Sequence, residues 1–122
     1  MKKLWLTVLL SPLFLMCRQN GNGGLHITEK VTDDLVYHFT ADYPDSETGT
    51  VQNILSRHLK DTGMSFANAE LDAEMGFDNG MFFYIKSHPG SLTIVCDRAK
   101  NSEENYMKIR KMCEAVKNSL GD

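Results

Sequence analysis

Residues 69–97 read AELDAEMGFDNGMFFYIKSHPGSLTIVCD, and this stretch decides the fold. Two turn signals, DNG at 78–80 and PG at 89–90, divide it into three apolar-rich runs. Short apolar-rich runs that are separated by turn residues are typical of antiparallel strands. The stretch therefore predicts a three-stranded meander.

The loop at the first turn determines which side chains share a face of this meander. A two-residue Asn-Gly turn would place Glu74 beside Ile85 and would mix an acid with the core. A three-residue loop, with Gly80 in the left-handed conformation, pairs residue 75 with residue 83 and keeps acids and core apart. We therefore predict the three-residue loop.

This register sorts the side chains of the meander onto two faces. The apolar face collects Leu71, Ala73, Met75, Phe77, Met81, Phe83, Ile85, Leu92, Ile94 and Cys96. The opposite face combines aromatic and charged side chains, a composition typical of an interaction surface. Its candidate interaction residues are Asp72, Glu74, Phe82, Tyr84, Lys86 and His88, and Val95 lies on the same face. Ordinary packing on a solvated sheet face is the alternative interpretation of the same pattern.

Upstream of the meander, alternation predicts a hairpin with strands at 25–31 and 35–43. We expect the last residue of the first strand to pair with the first residue of the second. That register brings Glu29 onto the apolar face opposite Tyr37, a conflict that a bulge would resolve.

Two helices complete the order of elements. Apolar residues at helical spacing predict a helix at about 49–62 that ends at Gly63, and a second at about 102–120 that starts at Asn101 or Ser102. The order is then β-β-α-β-β-β-α. We predict an α+β fold, a two-layer sandwich in which both helices cover one face of an antiparallel sheet.

The first 16 residues have the composition of a secretory signal. Lys2 and Lys3 precede the apolar run 4–16, which is 13 residues long. A helix of this length rises about 20 Å, less than the roughly 30 Å of a bilayer core. We therefore expect a cleaved signal peptide at 1–16 rather than a transmembrane anchor.

The end of this signal resembles that of bacterial lipoproteins, in which a cysteine follows the apolar run and a polar tether follows the cysteine. The resemblance covers residues 1–24 and implies lipid attachment at Cys17, a flexible tether at 17–24 and a single domain at 25–122. It implies an exported, membrane-anchored protein that faces the periplasm or the cell surface. The small residues of Gly21-Asn22-Gly23 leave an alternative, which is ordinary signal cleavage and a soluble periplasmic or secreted protein.

The charge of the mature chain limits its partners. Removal of Lys2 and Lys3 with the leader leaves 11 basic and 16 acidic residues, a net charge of −5. An acidic chain without a basic stripe argues against nucleic acid and against electrostatic docking on anionic lipid. We expect an unidentified protein or envelope component as partner, and the membrane through the lipid at Cys17.

Cys96 and Cys113 remain as a candidate disulfide in an oxidising compartment. Cys96 lies near the end of its predicted strand, whereas Cys113 lies about 16 Å along the following helix. A disulfide needs Cα atoms within about 7 Å. We therefore favour two buried free thiols over the bridge.

No catalytic, phosphate-binding or metal motif stands out, so we expect no cofactor and no metal site. The sequence favours a non-catalytic binding domain. One alternative is a small hydrolase that uses Asp72 or Glu74 together with His88. Another is a structural subunit that associates with a copy of itself.

Overall fold

A computed structural model describes residues 24–62 and 70–121 of the chain. In these residues a five-stranded antiparallel sheet packs against two helices, which confirms the predicted α+β class and the predicted order of elements. The elements are β1 (His26–Val31), β2 (Val36–Asp42), α1 (Thr48–His58), β3 (Leu71–Gly76), β4 (Phe82–His88), β5 (Ser91–Asp97) and α2 (Glu103–Gly121). The strands lie in the order β1-β2-β5-β4-β3. The predicted leader and Cys17, with the tether up to residue 23, lie outside the described residues.

The meander adopts the predicted three-residue loop. Met75 lies opposite Phe83, and Gly80 has a φ of +89°. The loop is closed by two backbone hydrogen bonds, from the Phe77 N–H to the Met81 carbonyl at 3.0 Å and from the Gly80 N–H to the Phe77 carbonyl at 2.9 Å. The prediction held because only this register separates the apolar side chains from the acids.

The predicted register of the first hairpin is wrong by two residues. Val31 lies opposite Tyr37, and Leu35 belongs to the turn, where it has a φ of +65° and is 49% exposed. The wider turn is closed by the Thr32 N–H, which donates to the Val36 carbonyl at 3.0 Å. A shift of two residues keeps every side chain on its own face, so the alternation of the strands cannot distinguish the two registers.

Glu29 faces the helices from β1, and its charge is satisfied without the bulge that we expected. The pairing of β1 with β2 is continuous, with Glu29 opposite Phe39. The Tyr37 hydroxyl donates to Glu29 Oε2 at 2.6 Å, and Lys117 Nζ lies 2.9 Å from Glu29 Oε1. The Tyr37 hydrogen bond, with help from Lys117, holds the pKa of this carboxyl below its ordinary value of 4.5 against the opposing effect of burial.

The apolar face of the sheet and the inner stripes of both helices form one core. Its largest fully buried side chains come from every described element except the edge strands β1 and β3, and they are Tyr37, Phe39, Val51, Leu55, Leu59, Phe83, Ile85, Leu92, Ile94, Ile109 and Met112. The edge strands contribute only partly buried side chains, among them Ile27, Leu71 and Met75. The helices therefore leave the opposite face of the sheet uncovered.

The first helix is shorter than predicted, because α1 ends at His58 and a short 3-10 turn at 60–62 follows it. The predicted terminator, Gly63, lies outside the described residues. At its start, α1 is tied to the sheet by the Thr48 hydroxyl, which accepts a hydrogen bond from the Gly90 N–H at 3.0 Å. This contact fixes α1 over the turn between β4 and β5.

Of the two predicted starting residues of α2, Ser102 is the cap. Its hydroxyl accepts a hydrogen bond from the Asn105 N–H at 3.1 Å. Asn101 instead bridges two strands. Its Oδ1 accepts from the Phe82 N–H at 2.8 Å, while its Nδ2 donates to the carbonyl oxygens of Phe82 at 2.8 Å and Asp97 at 3.0 Å. The side chain thereby joins the start of β4 to the end of β5.

Candidate functional site

The candidate functional surface is the face of the sheet that points away from both helices, which we name the open face. It consists of the even-numbered residues of β1, β2, β3 and β4 and the odd-numbered residues of β5. The alternation of burial along the strands defines it. On β4, for example, Phe83, Ile85 and Ser87 are buried, while the residues between them reach solvent.

All six candidate interaction residues lie on the open face. β3 supplies Asp72 and Glu74, and β4 supplies Phe82, Tyr84, Lys86 and His88. Asp72 lies directly opposite Lys86, as the predicted register requires. The Tyr84 hydroxyl donates to Asp72 Oδ1 at 2.7 Å, and this hydrogen bond raises the pKa of the tyrosine above its ordinary value. The two strands are thus linked across the surface by polar side chains.

A shallow groove of about 200 Å³ runs across one end of the open face. Its apolar lining includes Val36, Phe82, Tyr84 and Val95, and its charged rim is formed by Glu74, Asp97 and Lys100. Lys100 Nζ lies 5.3 Å from the centroid of the Phe82 ring, which places a cation over an aromatic face. The groove thus combines an apolar floor with charges of both signs.

Three of the groove residues were not predicted from the sequence: Val36, Asp97 and Lys100. They reach the groove because β2 pairs with β5, which sets Val36 opposite Asp97, and because the 3-10 turn after β5 carries Lys100. The alternation of β2 and β5 gives the face of each side chain, but the pairing of two strands so distant in sequence has no local signal.

The side chains of the hydrolase hypothesis do not line this groove together. Glu74 is part of its rim, whereas neither Asp72 nor His88 lines it. Asp72 is hydrogen-bonded to Tyr84, and His88 lies opposite Ser91 beside the second turn of the meander. General acid–base catalysis requires its catalytic groups to lie around one reacting atom. Asp72, Glu74 and His88 do not have this arrangement.

Cys96 and Cys113 are both buried, and both thiols are free in the structure. Desolvation is the main cause that raises the pKa of Cys96 to about 11 and that of Cys113 to about 12. A nucleophilic or metal-binding cysteine requires the opposite shift, because the thiolate is the reactive form. The two thiols therefore behave as core side chains.

Two further kinds of feature are absent from residues 24–62 and 70–121. No group of three or more His, Cys, Asp or Glu side chains there has the arrangement of a metal site. Within the same residues, no helix combines the length and the apolar character needed to cross a membrane.

Comparison of the chain with protein-family models, with curated proteins and with solved structures finds no match.

Proposed function

We propose that this protein is an exported, lipid-anchored domain of the bacterial cell envelope that binds a protein or envelope partner through the open face, without catalysing a reaction. The anchor follows from the resemblance of residues 1–24 to a lipoprotein signal, which implies lipid at Cys17. The binding surface follows from the composition and shape of the open face.

The observation that carries the proposal is an apolar groove on the sheet face that the fold leaves uncovered. Phe82, Tyr84 and Val95 lie side by side there, within a rim of charged residues. Protein interfaces have this arrangement of an aromatic centre and a polar rim. A sheet face that serves only solubility does not require half-buried aromatic side chains that lie side by side in a groove.

The dimensions favour a macromolecular partner over a small ligand. Small-molecule sites usually enclose about 300–1,000 Å³, and the groove of about 200 Å³ is smaller and shallow. Five strands spaced about 4.8 Å apart and about 20 Å long make a face of roughly 20 by 20 Å. Such a face covers about 400 Å², roughly half of the 800 Å² that one partner contributes to a standard interface, and the rim adds to it.

Site-specific photo-crosslinking in living cells tests the binding surface. A photo-reactive amino acid at Lys86, on the open face, should give a discrete crosslinked product. The same amino acid at Asn53, which is exposed on α1, should give none because α1 lies on the other side of the sheet. The double change Tyr84→Ala and Val95→Ala should abolish the product at position 86 while the protein remains folded.

The outcomes separate the competing hypotheses. Equal products at positions 86 and 53 would contradict a specific open face. A product with the mass of two copies would identify self-association in place of a different partner. Unchanged crosslinking in the double variant would show that the groove does not contribute.

The anchor is tested by mass spectrometry of the processed protein. The expected mass corresponds to a chain that begins at a lipid-modified Cys17, and Cys17→Ser should move the protein from the membrane fraction to the soluble fraction. A mature chain without lipid that begins after Gly23 would remove the anchor from the proposal, while the open face would still be testable.

A further inference from the structure

The helix layer concentrates basic side chains in one continuous strip, which we name the basic band: Arg57, Lys108, Arg110, Lys111 and Lys117. One hollow of about 270 Å³, between the end of α1 and the middle of α2, is lined by Arg57, Lys108 and Lys111. A second hollow of about 320 Å³, between α2 and β1, is lined by Arg110, Lys111 and Lys117. Because Lys111 lines both hollows, the five cations form one surface.

The charge of this band is only partly balanced. Glu29 pairs with Lys117 at 2.9 Å, Glu104 lies 3.5 Å from Lys108, and Glu114 lines the second hollow. Among the described residues, Arg57 and Lys111 take part in no ion pair. Five cations against three acids leave an excess of positive charge in a chain whose mature form is acidic.

Arg110 is held in place by the core beneath it. Its guanidinium lies 4.4 Å from the centroid of the Tyr37 ring, and it donates a hydrogen bond to the Tyr106 hydroxyl at 3.2 Å. Met107, which is 43% exposed, adds an apolar side chain to the same surface. Cations around an exposed apolar side chain suit the interface of a bilayer, where headgroups and acyl chains meet.

The open face carries more acidic than basic side chains. Its basic residues are Lys30 and Lys86 on the strands and Lys100 at the rim of the groove, whereas its acidic residues are Asp42, Asp72, Glu74 and Asp97. Since the helices cover the other side of the sheet, the two charged surfaces point in opposite directions. An anionic surface therefore attracts the basic band and repels the open face.

We propose that the basic band docks the domain on a bilayer surface that contains anionic phospholipid, so that the open face points away from the membrane. This inference depends on the proposed function for the anchor at Cys17. The seven residues 17–23 span at most about 24 Å when extended, which is shorter than the roughly 34 Å diameter of a domain of about 100 residues. One face of a domain on so short a tether stays close to the membrane, and charge selects which face.

The range of the forces is consistent with this geometry. Charges are screened over about 8 Å at physiological ionic strength, so only the face that contacts the bilayer responds to it. Each Lys or Arg close to an anionic surface strengthens association by roughly fivefold. A surplus of two cations in the basic band and a surplus of one acid on the open face therefore favour one orientation.

Lysine acetylation of the processed full chain in vesicles tests the orientation. The protein is placed in vesicles of phosphatidylcholine alone or with one-third phosphatidylglycerol, and the acetylation rate of each lysine is measured by mass spectrometry. In anionic vesicles the rates of Lys108 and Lys111 should fall at least fivefold relative to those of Lys30 and Lys86. The difference should disappear in neutral vesicles and in 0.5 M NaCl.

A matched pair of variants identifies the surface. Lys108→Gln with Lys111→Gln should return the acetylation rate of Lys117 in anionic vesicles to its value in neutral vesicles. Lys30→Gln with Lys86→Gln removes the same charge from the open face and should leave the protection of Lys117 unchanged. Equal effects of the two variants would overturn the proposal, because they would indicate a response to net charge alone.

Three further outcomes would also overturn it: equal protection in neutral and anionic vesicles, protection of the open-face lysines instead, or loss of protection with 10 mM inorganic phosphate at constant ionic strength. The last result would indicate a discrete phosphate site. Failure of the anchor gives a different result. A chain without lipid would not sediment with neutral vesicles, while its binding to anionic vesicles would still report on the basic band.

Discussion

At the scale of single residues, two turn glycines adopt backbone conformations that other residues rarely take. Gly80 has a φ of +89° and Gly90 a φ of +81°. A Cβ at position 80 would meet nothing closer than 3.8 Å, whereas one at position 90 would lie 2.6 Å from Asp45 Oδ1 and 3.1 Å from the Tyr43 carbonyl oxygen. Gly80 is therefore required only because of its positive φ. Gly90 is required both because of its positive φ and because a Cβ would clash with its neighbours.

Alanine substitutions should separate these two requirements. We expect Gly80→Ala to lower the free energy of unfolding by about 1–2 kcal/mol, the usual cost of the left-handed conformation. Gly90→Ala should cost more, because the close approach to the Tyr43 backbone adds overpacking of about 1–3 kcal/mol. Gly49→Ala, in α1 with open space around it, is the control and should gain up to about 1 kcal/mol. Urea denaturation measures all three, and equal effects at 80 and 90 would contradict the steric argument.

The carboxyl of Glu29 should make stability depend on pH. Its pKa in the folded protein is lowered, first by the Tyr37 hydrogen bond, so the stabilisation is present above the unfolded value of about 4.5 and is lost as the pH falls through the folded value. Glu29→Gln should cost about 1 kcal/mol at pH 7, a value discounted for the partial exposure of the edge strand. The difference from the wild type should shrink below pH 4.

Two variants serve as comparisons for this prediction. Tyr37→Phe removes the donor to Glu29 and should reproduce the change in pH dependence, although loss of the buried hydroxyl adds its own effect. Glu74→Gln, on the open face, should change stability by less than about 0.5 kcal/mol. A pH profile of Glu29→Gln parallel to that of the wild type would contradict the assigned role.

The two core thiols should be unreactive in the folded protein. Only the thiolate reacts, and a pKa raised to about 11 for Cys96 leaves about one part in a thousand ionised at pH 8. Cys113, with a pKa raised to about 12, should react more slowly still. A thiol reagent at pH 8 should detect almost nothing in the native protein and, with Cys17 blocked by the proposed lipid, two thiols in the denatured, unreduced protein. No free thiol after denaturation would instead indicate a disulfide.

At the scale of elements, the two hairpins show what determines a strand register. The meander has one register that keeps acids away from the core, and Gly80 supplies the loop that this register requires. In the first hairpin, two registers that differ by two residues present the same faces. In the observed one Glu29 also contacts Lys117 of α2, and this contact comes from outside the hairpin.

Asn101 should be a principal connection between β4 and β5. Its Oδ1 accepts a hydrogen bond from the Phe82 N–H. Its Nδ2 donates to the carbonyl oxygens of Phe82 and Asp97. Asn101→Ala should lower the free energy of unfolding by about 2–3 kcal/mol, because a partly buried N–H loses its acceptor. Asn101→Asp should cost at least as much at pH 7, because it sets a carboxylate against two carbonyl oxygens.

The neighbouring cap is the control for this element. Ser102→Ala removes one hydrogen bond to the first turn of α2 and should cost about 1 kcal/mol. Thermal or urea unfolding distinguishes the two positions. A larger loss at Ser102 than at Asn101 would show that helix capping, rather than the strand bridge, dominates at this junction.

At the scale of the whole molecule, the sheet separates stability from recognition. Its inner face fills the core, and its open face carries the proposed binding surface. Adjacent residues of β4 test this separation, because Ile85 is fully buried and Lys86 points to solvent. Ile85→Ala should cost about 2–5 kcal/mol, whereas Lys86→Ala should stay within about 0.5 kcal/mol. A large loss of stability with Lys86→Ala would mean that the open face also supports the fold.

The distribution of charge also emerges only at this scale. The net charge of −5 that the predicted removal of residues 1–16 would leave indicates an acidic protein without a basic stripe, which on its own argues against docking on anionic lipid. Folding brings Arg57 of α1 beside Lys108 and Lys111 of α2 around one hollow. Cations that are about fifty residues apart in sequence thus become neighbours in the fold. The net charge of the chain cannot show that these cations and the acids of the open face lie on different surfaces.

Local patterns in the sequence were sufficient for the fold class, the order of elements, the register of the meander and the six candidate residues on one face. These features depend on a period of two along a strand, a period of 3.6 along a helix and the chemistry of short turns, all of which involve residues close together in the chain. The tertiary structure alone decided the register of the first hairpin, the groove members Val36, Asp97 and Lys100, and the basic band. Each of these depends on contacts between elements distant in sequence, as in the ion pair of Glu29 with Lys117 across 88 residues, and such pairings are selected by packing and charge in the assembled molecule rather than by any local pattern.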